Sequence, residues 1–506
     1  MESKEKSRSE KIMDIVTKRG FIYPSSEIYG SKAGFWTYGS LGTKIKHKWE
    51  NLWKSYFLSL NTNFYEIDDC SIMPKKVFES SGHLKNFTDP LTECEKCHFR
   101  FRADQLIEDE LKIDVAGLKE DALTKLIRDN KLKCPKCKGN LIDVRFFNMM
   151  FDIKVGATGD DIMYLRPESA QSPYLAFKRE FEATRRKLPL GLAVIGRVFR
   201  NEISPRQGFF RLREFIQAEL QIFFDPEKIN EHQNWNEVKD YSLIVFSDKK
   251  TRKLTCKEMK DKLKFPKFYI YHMAKVQQFY LDILKIPEKI FRFRELGPDE
   301  RAFYNKIHFD VELNLETLGG FKEVAGCHYR TDHDLGGHQL GSGEKLEVTL
   351  DEEGKVKKFI PHVLELSFGT DRNIWALLDT FYKEEKERNL FTFPNNLTPL
   401  DVVVFPLVNK ENIPEFAEKV FLELFKEGFT IFYDDSGSIG RRYRRQDEIG
   451  TKFCITVDFD SLKDNTVTVR DRDSMKQIRI KSGELKLKLN SLIKENKELS
   501  TFGNYI

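Results

Sequence analysis

The chain has 506 residues, of which 40% are hydrophobic and 32% charged. That is the balance of a soluble globular protein, and the length is too great for one core, so about two to four domains are expected. A formal net charge of +5 permits an RNA partner without demanding one, no apolar run reaches the length of a membrane span, and the polar start MESKEKSRSEK has no signal core; a cytoplasmic protein with no membrane partner is expected.

Thr43 to Leu58 sets Ile45, Trp49, Leu52, Trp53 and Tyr56 at helical spacing, which predicts a strongly amphipathic helix. A strand-like NFYEIDDCSI follows and ends at Met73-Pro74, where proline stops regular pairing. Two CxxC pairs come next, Cys94/Cys97 and Cys134/Cys137, in a segment of about 91–144 that looks inserted. In a reducing compartment such pairs favour a metal over disulfides, and four thiolates close a tetrahedral zinc shell with no position for catalytic water. Free thiols, a metal-free knuckle, and His98 as an adjacent ligand are the alternatives. Cys70, Cys256, Cys327 and Cys454 are scattered and read as buried small apolar residues.

Apolar β-type runs resume around 146–151, 162–165 and 192–199. The last opens the most informative segment, Arg197 to Glu219 (RVFRNEISPRQGFFRLREFIQAE). Two β-favouring runs, one ending at Phe199 and one opening at Phe209, flank a polar turn with Pro205 and Gly208, which predicts a hairpin. Five arginines stand among four aromatic rings. Such an array can hold a triphosphate by charge-assisted bonds and a nucleobase by stacking; the plain alternative is a solvated basic hairpin.

Residues 225–300 are Lys-rich and read as a second insertion. A β-rich block covers 306–368, and a helix is predicted from near Arg372 through RNIWALLDTFYKEEKER. Asn389 to Pro399 has linker chemistry. Beyond it, strand, helix closed by Gly428, and further strands predict a separate α/β domain.

Three separated segments belong together: the long helix with its strand and Pro74, the hairpin with Arg200-Asn201-Glu202 and Phe215, and Glu365-Leu366-Ser367-Phe368-Gly369-Thr370-Asp371-Arg372. Their order and content resemble motifs 1, 2 and 3 of class II aminoacyl-tRNA synthetases. LRPESAQ, FRNEISPRQGFFRLREF, GCHYRTDHDL, ELSFGTDR, DDSGSIGRRYRRQDEIGTKFCITVDFD and VTVRDRDSM narrow the resemblance to glycyl-tRNA synthetases of the homodimeric type, over essentially the whole chain.

The resemblance implies an α+β catalytic domain with an antiparallel sheet, carrying insertions, plus a C-terminal α/β anticodon-binding domain. The catalytic domain would comprise 1–90, 145–224 and 301–390, interrupted by a zinc-binding insertion at 91–144 and by 225–300, expected to contact the acceptor stem; 391–506 would bind the anticodon. It further implies attachment of glycine to its tRNA through glycyl-adenylate, with ATP and Mg2+, by a homodimer; the helix with Trp49 and Trp53 would supply part of its interface, although a purely intrachain core is the ordinary explanation of such a stripe. Arg200 would contact the α-phosphate, Glu202 the adenine amino group, Phe215 the adenine face and Arg372 the γ-phosphate. Arg211 and Arg213 would hold phosphates, with Asn201, Phe210, Leu212, Glu214, Glu323, Val324 and Gly369 completing the ATP site.

Glycine offers only an ammonium and a carboxylate. A desolvated ammonium requires carboxylate partners, and the matching positions are Glu168, Glu219 and Glu365; Ser367 would narrow the pocket, and Phe215, Gln217 and Gly369 border it. Arg102 and Arg330 would stand near the substrate carboxylate. A wall at Cα can reject every larger amino acid, so no editing domain is expected. Each glutamate taken alone can equally be a structural ion-pair member, and His83 a loop histidine. Arg441, Arg442, Arg444 and Arg445 would ordinarily be a solvated basic run; in a C-terminal domain of this family they would approach the tRNA backbone. The lack of an extra N-terminal helical appendage suggests a compact bacterial- or archaeal-style form. Departures from the family pattern are Ser169 for threonine, Ser172 for glycine, Phe321 for tryptophan, Phe303 for histidine and Lys452 for proline. The competing readings are a non-catalytic nucleic-acid-binding relative and a class II enzyme for another amino acid.

Overall fold

A computed structural model describes residues 6–506, except 114, 116, 204, 206, 207, 298, 299, 301–304 and 353. Phe303 lies outside the described residues. The main sheet has nine strands: β1 (Phe64–Glu66), β2 (Leu190–Phe199), β3 (Glu214–Phe224), β4 (Ser242–Ser247), β5 (Lys250–Thr255), β6 (Phe291–Glu295), β7 (Ile307–Leu315), β8 (Gly320–Thr331) and β9 (His362–Gly369). Their order is β5-β4-β6-β7-β8-β9-β3-β2-β1. Neighbours run antiparallel except β1 with β2 and β4 with β6.

Period-two alternation divides the central strands between two faces. Ala218, Leu220 and Ile222 of β3 and Leu364, Leu366 and Phe368 of β9 belong to buried apolar clusters. Gln217, Glu219 and Gln221, and Glu365 and Ser367, occupy the intervening positions. Buried polar groups on a central strand are costly unless partnered, so the second face of the sheet marks the site.

Helix α1 (Ser40–Leu58) packs on the apolar face. Trp49, Trp53 and Phe57 are fully buried within one chain, with Trp49 6.4 Å and Trp53 5.8 Å from the Phe368 ring. Of the two readings of this stripe, the structure shows the intrachain core and not a subunit interface: the sheet covers it.

Residues 225–300 are an insertion in sequence but not a separate layer. They supply β4, β5 and β6 to the main sheet, and helix α2 (Lys267–Gln278) to its core. The reason is that α2 is apolar nearly all round, with nine of its residues, Phe268 through Ala274 plus Val276 and Gln277, buried. Tyr269 Oη donates to the Cys327 carbonyl at 2.7 Å, and Tyr280 Oη to Asn373 Oδ1 at 2.8 Å.

The segment 91–144 contributes no strand to the main sheet among the described residues. Its strand Arg100–Arg102 pairs with Thr88–Glu93, which enters the segment and pairs in turn with Arg145–Asn148 just beyond it, and the helices Ala103–Leu111 and Glu120–Asp129 form a core of their own. The β run near 162–165 also leaves the main sheet, since Asp161–Leu165 pairs with Ile72–Pro74 and Asp152–Val155. Helix α3 (Thr370–Phe381) stops short of the predicted end, because Tyr382–Glu384 pairs with Asn389–Phe391. That pairing draws Phe391 and Phe393 of the expected linker into the core of the main sheet.

The C-terminal domain has five strands, β10 (Val402–Pro406), β11 (Ile431–Tyr433), β12 (Phe453–Val457), β13 (Thr466–Asp471) and β14 (Gln477–Lys481), in the order β11-β10-β12-β13-β14. The first three are parallel and the last two add antiparallel, over an apolar cluster separate from that of the main sheet.

Candidate active site

The expected β2–β3 hairpin forms, with Phe199 opposite Glu214 and Val194 opposite Glu219. Its second strand opens at Glu214 and not at Phe209, because Gly208–Phe210 makes a short 3-10 turn. The Arg200 guanidinium lies 5.3 Å from the Phe87 ring and 5.2 Å from the Phe215 ring, and Nε donates to the Pro167 carbonyl at 3.0 Å. Arg211 donates to Glu202 Oε2 through Nε at 2.9 Å and Nη2 at 2.6 Å. Arg372 sits 5.2 Å from the Phe210 ring, 3.0 Å from the Glu323 carboxylate. With Leu212, Gln217, Ala325, Ser367, Gly369 and Asp371, these side chains line one cavity. A cavity walled by three arginines and two phenylalanine faces suits a polyphosphate bearing an aromatic base.

At the floor of this cavity the polar face of β3 and β9 continues into a buried carboxylate cluster. Arg330, 1% exposed, is held by Asp334 through Nε at 2.8 Å and Nη2 at 2.9 Å, and donates from Nη1 to Glu365 at 3.1 Å. Its Nη2 lies 3.6 Å from Glu168. Glu168 also accepts from Gln171 Nε2 at 3.0 Å and lies 3.3 Å from His83 Nε2. Burial works against its ionised form, but His83 and Arg330 together hold its carboxyl well below the usual range. Glu365 is bonded to His328 Nδ1 and to Gln221 Nε2, the latter at 2.7 Å. It too ends below its ordinary value, Arg330 and His328 outweighing burial.

Glu219 differs. Its partners are neutral, Ser367 Oγ at 2.7 Å and Gln221 Nε2 at 3.4 Å. Burial first, then the charges of Glu365 and Glu168, push its carboxyl up to about 8. One guanidinium therefore serves several carboxylates, and the cluster suits one further small cation.

Residues 152–381 match the model of the tRNA synthetase class II core domain (G, H, P, S and T), and residues 401–492 that of an anticodon binding domain. A glycine–tRNA ligase of Thermococcus kodakarensis is 39% identical, covering 96% of this chain and 98% of its own length. Glycine–tRNA ligases of Pyrococcus furiosus, at 40% over 96% of this chain and 99% of theirs, and Methanococcus vannielii, at 38% over 93% and 97%, are similarly related. The chain belongs to the glycine–tRNA ligase family. A crystal structure of prolyl-tRNA synthetase from Cryptosporidium parvum superposes with a TM-score of 0.58 at 15% identity, covering 97% of this chain and 76% of that one. That likeness shows the class II fold, an antiparallel α+β catalytic domain followed by an anticodon-binding domain, as expected for this ligase family.

Within the ligase fold, several residues take places other than those expected. Asn201 lines a different hollow, with Lys75, Phe147 and Tyr164. Arg213 is spent on backbone, donating to the Glu202 carbonyl at 2.7 Å and the Ala33 carbonyl at 3.0 Å. Glu214 pairs with Arg197 outside the cavity, and Val324 is 1% exposed core. Arg102, expected beside glycine, stands in the 91–144 segment against Asp104 and Asp89, and Asp89 lies 3.8 Å from Arg211. It thus borders the Glu202 end of the cavity. Arg330 is engaged by Asp334 and Glu365 and stands 3.6 Å from Glu168.

Sequence reasoning did not assign His83, Gln171, Gln221, His328, Asp334 or Asp371 to this ligase site. Gln221 was legible by sharing the Glu219 face of β3; Asp334 was not, because Arg330 lies at the end of β8 and Asp334 in the first turn of the next helix, so no single period relates the two. Asp371 accepts from Tyr38 Oη and the Ile216 N–H, both at 2.6 Å, which ties α3 to β3; burial pushes its carboxyl up to about 6. Gly196 leaves room for Arg166: an added Cβ would sit 2.0 Å from Nη2 and the guanidinium would have to shift. Arg166 there donates to the Arg197 carbonyl at 2.9 Å and to Ser172 Oγ at 3.0 Å, so the Ser172 departure is accommodated. Phe321 is likewise accommodated, its ring 3.8 Å from the Arg292 guanidinium.

The four thiols of Cys94, Cys97, Cys134 and Cys137 converge, with ligand atoms within 4.8 Å of one another. Sγ separations of 3.4 Å (Cys94–Cys137) and 3.7 Å (Cys97–Cys134) are far from a disulfide and near the roughly 3.8 Å edge of a tetrahedron with Zn–S of about 2.3 Å. His98 turns away, its Nδ1 3.2 Å from Glu93. The donor set and spacing fit zinc.

In the anticodon-binding domain the arginine run divides. Arg442 is 3% exposed and donates to the Gly437 carbonyl at 3.0 Å and the Asp435 carbonyl at 2.8 Å; Arg445 pairs with Asp434 at 2.8 Å. Both hold the fold, which removes Arg442 from the expected tRNA-facing set. Arg441 is exposed and lines a surface hollow with Lys18, Arg19 and Arg444.

Proposed function

We propose that this chain attaches glycine to its tRNA in two steps at the described cavity. In the first, a glycine carboxylate oxygen attacks the α-phosphorus of ATP and pyrophosphate leaves. In the second, a hydroxyl of the terminal tRNA ribose attacks the glycyl carbonyl, loses its proton, and AMP leaves. No covalent enzyme intermediate is required, so positioning and charge stabilisation carry the chemistry.

The observation that carries this reading is the convergence of Glu168, Glu219 and Glu365 beneath an arginine-lined cavity, with Glu219 partnered only by neutral groups among the described residues. Glu219, Glu168 and Glu365 receive the glycine ammonium. Ser367, opposite Glu219 in the strand register, closes the space beside Cα and excludes larger amino acids. Arg200 stabilises charge developing on the α-phosphate, and its clamp between two rings fixes its direction in advance. Phe215 offers its face to adenine, Glu202 accepts from the adenine amino group, and Arg372 and Arg211 hold the outer phosphates. Magnesium arriving with ATP neutralises part of the triphosphate charge. Zinc is held by Cys94, Cys97, Cys134 and Cys137 as a structural ion. The chain acts in the cytoplasm as a homodimer, which sedimentation tests directly.

Glycine-dependent exchange of pyrophosphate into ATP tests the reading. Exchange with glycine and none with alanine is expected. A folded, metal-replete protein that exchanges with neither rejects it.

A further inference from the structure

Beyond Glu365, on the same face of the sheet, three side chains from two adjacent strands converge. His308 and Asp310 of β7 and His328 of β8 place one ligand atom each within 4.8 Å of the others. His308 faces His328 in the strand register and Asp310 faces Gly326. An added Cβ at Gly326 would lie 2.3 Å from His328 Nε2, so the bare glycine makes room for that nitrogen beside Asp310. His308 Nε2 is 3.0 Å from Asp310 Oδ1, and the two imidazole rings lie 4.1 Å apart. We propose that His308, Asp310 and His328 form a binding site for a divalent transition ion such as zinc, separate from the four cysteines.

Two features of the surroundings have the form of outer-shell support. Ligating histidines usually give their second ring nitrogen to a carboxylate or carbonyl, which frees the other for the metal. His328 does so through Nδ1 to Glu365. Asn305 does the equivalent for His308: its side-chain amide is 3.1 Å from His308 Nδ1. Asn305 is 6% exposed and its Oδ1 is buried without a hydrogen-bond partner. Turning that amide over, which exchanges O and N, lets Oδ1 accept from His308 Nδ1–H and leaves the Nε2 lone pair to the metal. Two imidazoles and one carboxylate are a donor set of the kind that binds zinc with a fourth position open. The side chains of His308, Asp310 and His328 are still 12%, 11% and 15% exposed, so an ion can enter from solvent.

The site abuts the amino-acid pocket through Glu365, and an ion there would hold that carboxylate as its outer-shell partner. This consequence rests on the proposed function, whereas counting metal does not. Equilibrium dialysis of the full chain against Co2+ should give one more bound equivalent for the unmodified protein than for His308→Ala or Asp310→Asn. That equivalent should show ligand-field bands without thiolate charge transfer and should survive in Cys97→Ser. Asn305→Ala, which removes no ligand, should weaken it by about 10–100-fold. Equal stoichiometry and affinity in the unmodified protein, His308→Ala and Asp310→Asn, all shown folded by thermal melting, would overturn the assignment.

Discussion

Glu219 and Ser367 stand directly opposite one another on β3 and β9, and the serine hydroxyl donates to Glu219 Oε1 at 2.7 Å. The pair joins two roles in one contact. The hydroxyl steadies the carboxylate meant for the ammonium while its own bulk sets the width of the pocket. Ser367→Ala should raise the KM for glycine in pyrophosphate exchange about 10-fold or more, since a hydrogen bond to a charged group contributes about 1.5–3 kcal/mol. The KM for ATP should change little. An unchanged glycine KM would show that Ser367 does not support the bound state.

Glu219 has its carboxyl raised to about 8 by burial and by the neighbouring Glu365 and Glu168. Near neutral pH it is largely protonated, and an ammonium beside it favours the ionised form, so glycine binding should release a proton below pH 8. Calorimetry in buffers of different ionisation enthalpy would read that proton, and Glu219→Gln should abolish it. The stability sign is opposite to that of a carboxylate whose pKa an ion pair depresses. The folded state binds the extra proton between the ordinary carboxylate value and about 8, so this group's contribution is full at acidic pH and is lost as pH rises through about 8.

Arg200 is held between two rings and by the Pro167 carbonyl, so its direction is fixed before substrate arrives. Arg200→Ala should lower exchange by about 10²–10³-fold, the size seen when one preorganised donor to a developing charge is removed. Arg200→Lys should restore little, because a point charge on a flexible stem does not stack between rings. A variant that retains near-normal exchange would remove Arg200 from the mechanism.

Chelation of the Cys94/Cys97/Cys134/Cys137 site, or Cys97→Ser, should loosen the 91–144 segment and leave the nine-stranded sheet folded, since that sheet takes no strand from it among the described residues. Limited proteolysis should cut within 91–144 first. Loss of the main sheet in the same step, seen as one cooperative transition by far-UV circular dichroism, would contradict this independence.

Trp49 packs between Phe279 and Phe368, at 6.2 Å and 6.4 Å. Trp49→Ala should destabilise the catalytic domain by about 3–5 kcal/mol, measured by denaturant unfolding. Its oligomeric state at concentrations where it remains folded should match that of the unmodified chain. A selective loss of dimer with intact stability would place the indole at an interface after all.

Sequence and tertiary structure decided different things. The hairpin, the three motif segments and the two CxxC pairs were legible because each is local: a turn with Gly208, a period-two strand, a fixed ligand spacing. So were Arg200, Glu202, Phe215, Glu219, Glu365 and Arg372 as a set, through family resemblance. What the sequence could not supply was which charges neutralise one another. Arg330, Arg213, Arg442 and Arg102 read as ligands because a guanidinium looks the same whether it faces substrate or a carboxylate from a distant strand. Only the fold shows Arg330 engaged by Asp334 and Glu365, and Glu219 left with neutral partners. The same holds for Trp49 and Trp53, whose apolar stripe fixed a helix but not what would cover it. Pairwise electrostatics and packing depend on contacts between residues far apart in the chain, and those distances exist only once the sheet has formed.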